Sequence, residues 1–100
     1  MTDAKPLPEL HQNVLDSKTL AFFVADLKAC AEILVVMPKA GPGYVAPKEI
    51  DLEEGARLLE AADLRGLQIR YRYQNAEWWD TLINRDGNIH ITRIQQDFSS

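Results

Sequence analysis

A single cysteine, Cys30, stands in the whole chain. It can close no intramolecular disulfide, so nothing here calls for an oxidising compartment. Histidine is nearly as scarce, with His11 and His90 only. Zinc needs three or four nitrogen, sulfur or carboxylate ligands, and no such spacing occurs. No glycine loop runs into a Gly-Lys-Ser/Thr step. GlyProGly at 41–43 resembles a phosphate loop only superficially. No apolar run is long and clean enough to span a membrane. The best candidate, 20–37, is broken by Asp26, Lys28 and Glu32. The N-terminus, MetThrAspAlaLysProLeuPro, lacks the apolar stretch of a signal peptide. Basic residues are outnumbered, 11 to 15, for a net charge of −4. That argues against a nucleic-acid footprint. No cofactor, metal or catalytic signature emerges, and the reading leans away from an enzyme. A bacterial-type cytoplasmic protein that meets no membrane is the default expectation.

One hundred residues with 46% hydrophobics fit one ordinary globular domain. We expect a flexible segment at 1–8 and an α+β domain at 9–98. Pro8 can open a short helix over Glu9–Leu15, which would leave His11 on its surface. Asp16-Ser17 is a plausible cap for a long helix from Lys18 to about Val36, with Leu20, Phe23, Val24, Leu27, Cys30 and Leu34 on its apolar face. That face is wide, which leaves a spare side for a second subunit. The run Ile33–Met37 is β-branched, so strand is its alternative. Pro38 is expected to stop the helix. The loop Pro38–Ile50 would present Lys39, Tyr44 and Lys48. Asp51 then opens a helix, with Glu54 at capping-box spacing, Glu53 and Arg57 paired, and Gly66 as the left-handed stop.

The most structured stretch is Leu67–Phe98. It predicts three antiparallel strands in a meander, with the two to three helices laid on one face. Asp86-Gly87 suits a type I′ turn, which sets Asp80 opposite Arg93 and Trp79 opposite Ile94. Asn75-Ala76 is the expected centre of the other turn, which would set Arg72 opposite Trp79. Alternation sorts the side chains. One face holds Leu67, Ile69, Tyr71, Tyr73, Trp78, Asp80, Leu82, Ile89, Ile91 and Arg93. It is the more apolar, so we assign it to the core, with Asp80 and Arg93 as a structural ion pair beside Tyr71. The other holds Gln68, Arg70, Arg72, Trp79, Thr81, Ile83, His90, Thr92 and Ile94, too apolar for idle solvent contact and too polar for core.

Three readings follow. A small soluble protein-binding or accessory module, homodimeric through the outer sheet face or the long helix or both, fits the aromatic-plus-arginine make-up. The alternative is a binder of a small anion, a nucleotide or single-stranded nucleic acid, using Arg70, Arg72, Trp79 and His90. A third is a small enzyme with His90 or Asp80 as base.

Overall fold

The computed structural model describes residues 12–40 and 49–96. Its elements run β1 Gln12–Leu15, α1 Ser17–Cys30, β2 Glu32–Lys39, α2 Leu52–Glu60, β3 Gly66–Tyr73, β4 Ala76–Arg85 and β5 Asn88–Gln96. The fold is α+β, as expected, but the sheet has five strands rather than three, in the order β1-β5-β4-β3-β2. Every neighbouring pair is antiparallel. The meander is the middle of this sheet, and β1 and β2 are its two edges.

The first added strand stands where a short helix is expected, and the second takes the strand alternative of the Ile33–Met37 run. The short helix over Glu9–Leu15 is overturned where it is described: residues 12–15 are strand. Residues 9–11, His11 among them, lie outside the described residues. In β1, Leu15 is buried while Val14 is 52% exposed, an alternation that four residues cannot advertise in sequence. The long helix is also shorter than expected. It ends at Cys30, and Ala31 is already extended (φ −124°, ψ 158°). The β-branched run then pairs with β3, Val36 opposite Ile69 and Val35 opposite Arg70. Cys30 is exposed, not buried, because no further helical turn follows to cover it. Leu34 is an extra residue between Ile33 and Val35, where the register shifts. Such a bulge is at home on an edge strand. Pro38 does not stop a helix but sits inside β2, opposite Leu67. Ile50 N–H donates to the Val36 carbonyl at 3.2 Å, so the backbone groups of Val36, and of Pro38 two residues on, face away from β3. The missing proline N–H therefore costs the ladder nothing.

Strand parity makes β1 and β2 run the same way at opposite edges, so α1 carries the chain across the sheet. Asp16 caps α1, its Oδ1 accepting from Thr19 N–H at 2.8 Å, and that bond holds its carboxyl below the usual range. Leu20, Phe23, Val24 and Leu27 face the sheet. Asp51 caps α2 by accepting from Glu53 N–H at 3.2 Å. The expected side-chain pairs are rearranged. Glu54 binds Arg57, not the cap, and Glu53 reaches across to Lys28 of α1 at 2.8 Å.

The left-handed stop of α2 is Ala62 (φ 66°), not Gly66. Asp63 N–H donates to the Leu58 carbonyl at 2.9 Å and Ala62 N–H to the Leu59 carbonyl at 3.1 Å, a Schellman closure. Alanine pays for that conformation in Cβ crowding, so Ala62→Gly is expected to stabilise the protein by about 1 kcal/mol. A urea midpoint at or below wild type would refute this. Gly66 instead begins β3, where a Cβ would lie 2.9 Å from Ile83 Cδ1 and 3.0 Å from the Leu82 carbonyl oxygen.

The core lies between helices and sheet. Leu27, Leu59, Leu64, Leu67, Ile69, Tyr71 and Leu82 are wholly buried. Among the described residues no helix is long and apolar enough to cross a membrane.

Candidate functional site

Two type I′-like reversals present the outer sheet face. Asp86 (φ 54°) and Gly87 (φ 88°) make the second, and Gln74 (φ 52°) and Asn75 (φ 63°) the first. In the second hairpin Asp80 faces Arg93, Trp79 faces Ile94 and Ile83 faces His90, the register expected from Asp-Gly. In the first, the turn centre lies one residue earlier than expected. The pairs become Arg70 with Trp79, Tyr71 with Trp78 and Arg72 with Glu77. This moves the register by two, so each side chain keeps its face.

The outer face is therefore a grid. One row runs Val35, Arg70, Trp79, Ile94. The next runs Met37, Gln68, Thr81, Thr92. A third contains Ile83, His90 and Val14. The Arg70 guanidinium lies 3.8 Å from the centroid of the Trp79 ring, and its Nε donates to Gln68 Oε1 at 3.0 Å. It is Arg70, not Arg72, that stacks on Trp79. Trp79 Nε1–H donates to Glu77 Oε2 at 2.9 Å. The indole is thus contacted on one face by the Arg70 guanidinium and at its N–H by Glu77. Ile94 beside it is 54% exposed.

The groups weighed for an anion site diverge. Arg72 Nη1 donates to Glu32 Oε1 at 3.1 Å and stands opposite Glu77, so its charge is met locally. Arg70 is held flat on the indole. His90 lies in another row, between Ile83 and Val14. Lys39 ends β2, opposite Gly66, as an exposed strand residue and not a loop contact. Tyr44 and Lys48 lie outside the described residues.

Beneath this face lies the charged cluster of the core side. Arg93 Nη2 donates to Asp80 Oδ2 at 2.8 Å, and Arg93 Nε donates to Oδ1 at 3.0 Å. The Tyr71 hydroxyl donates to Oδ2 at 3.0 Å. Asp80 is fully buried and Arg93 only 7% exposed. Burial pushes the Asp80 carboxyl above its ordinary range, and the Arg93 and Tyr71 contacts pull it back only in part. Burial, then the Asp80 charge, pushes the Tyr71 phenol up as well. A carboxylate sealed this way meets no substrate, so Asp80 is not placed to act as a base. Among the described residues no three His, Cys, Asp or Glu side chains gather to hold a metal ion.

The fold and this face define an α+β chain in which, among the described residues, both helices lie on one side of an antiparallel sheet. Compared with known proteins, the chain matches no family model, no curated protein and no solved structure.

Proposed function

We propose that this is a small protein-binding accessory module whose outer sheet face receives the docked chain. The observation that carries the reading is Trp79, stacked by Arg70, tied by Glu77 and flanked by Ile94. An aromatic ring already held by its neighbours in the free protein loses little entropy on binding. Tryptophan and arginine are also the side chains that dominate interface energies. The Gln68, Thr81, Thr92 row supplies polar groups at the middle of the face, which favours a partner with complementary polar groups. A homodimer built on this face or on α1 belongs to the same reading.

The test is a photo-reactive phenylalanine analogue at Ile94, followed by identification of the covalent adduct in cells. The adduct's partner is then purified and its affinity measured. Trp79→Ala should weaken that affinity by more than about thirtyfold, the effect of losing 2 kcal/mol or more at a hot spot, while circular dichroism stays native. No adduct, or an affinity indifferent to Trp79→Ala and Ile94→Asp alike, would refute the assignment.

A further inference from the structure

We infer that α1 is a self-association surface, on which a second copy of this chain docks its own α1 antiparallel across a two-fold axis at Phe22. This rests on reading the protein as a self-associating binding module, and it names the surface.

Phe22 is 63% exposed and points away from the sheet, opposite the buried Leu20, Phe23, Val24 and Leu27. The outward stripe through it reads Lys18, Phe22, Asp26, each four residues from the next, so the three share one side of the helix. Lys18 is exposed and Asp26 half-buried. Neither forms an ion pair within the described residues. The charges flanking Phe22 are equal, opposite and equidistant. On an antiparallel pair centred at Phe22, each Lys18 meets the Asp26 of the other copy, and the two Phe22 rings meet at the axis. A parallel pair would set like charges together. This pattern complements itself only in the isologous arrangement that two-fold symmetry requires.

The neighbouring surface suits close approach. Ala21 and Ala25 are small and exposed, and with Ala56 they floor a groove of about 380 Å³ between α1 and α2. The outer sheet face is on the other side of the molecule, so self-association leaves Trp79 accessible.

Sedimentation velocity of the full chain against concentration tests this. Wild type should form a dimer, and Phe22→Asp should sediment as a monomer with native circular dichroism. Lys18→Glu alone and Asp26→Lys alone should each weaken the dimer by about tenfold or more, since each sets like charges together twice. The double variant Lys18→Glu/Asp26→Lys should restore wild-type association. A monomeric wild type, or a dimer unmoved by Phe22→Asp, would overturn the inference. So would two single charge variants whose defects merely add. A dimer that falls apart on Trp79→Ala instead would place self-association on the sheet, sinking this inference but not the proposed function. Loss of the Ile94 adduct's Trp79 dependence would sink that function and leave the α1 result standing.

Discussion

Asp80→Ala is expected to destabilise the protein by about 3–5 kcal/mol. The alanine removes the carboxylate that accepts from Arg93 Nε and Nη2 and from the Tyr71 hydroxyl. The Arg93 side chain is only 5% exposed, so its charge stays inside after the Asp80 carboxylate is lost. Burial raises the Asp80 carboxyl although Arg93 and Tyr71 both act to lower it; in buried ion pairs generally, desolvation offsets much of the attraction. The pairing is therefore asymmetric. Breaking it is severe, whereas replacing both partners by apolar groups of similar volume is often neutral. Asp80→Leu with Arg93→Met should recover most of the loss. Urea unfolding of the two singles and the double decides the matter. A single Asp80→Ala variant within about 1 kcal/mol of wild type would show that the cluster is not sealed. Asp80 also lies between Trp79 and Thr81 on β4. Anything that moves its backbone tilts the outer face, so binding should fall with stability.

Leu27→Ala should lose about 2–5 kcal/mol, because a wholly buried leucine leaves both its transfer energy and a cavity behind. Leu27 is 0% exposed and pins the last turns of α1 to the sheet. Phe22, on the opposite side of the same helix, should behave differently. At concentrations where the chain is monomeric, Phe22→Asp should change stability by no more than about 0.5 kcal/mol, like other surface substitutions. Chemical denaturation at high dilution measures both. Equal losses at the two positions would mean that Phe22 is covered within one chain, and the helix would then have no face for a second copy.

Much of the central meander was legible residue by residue. Asp86-Gly87 carries its own conformational signal, so the β4–β5 pairing could be written down from it. Gln74-Asn75 carries a weaker one, because neither residue is glycine, so sequence alone centres the turn one position late, at Asn75-Ala76. The faces survived because moving a two-residue turn by one position changes a hairpin register by two. Stacking did not survive: the guanidinium over Trp79 is that of Arg70. The candidate surface could therefore be listed from sequence, but the contacts that hold Trp79 could not. Glu77, which holds its indole N–H, carried no signal of its own.

What the sequence determined by itself was local. It held the caps at Asp16 and Asp51, the Asp-Gly reversal, and the alternation that buries Tyr71 and Asp80 while turning Trp79 outward. Each depends on residues a few positions apart, where short-range sterics and period are enough. Tertiary structure decided the rest. Gln12–Leu15 and Glu32–Lys39 are strands because β5 and β3 offer them unpaired backbone groups and an apolar layer to join. A short apolar run has no preference strong enough to choose helix or strand before such an edge exists.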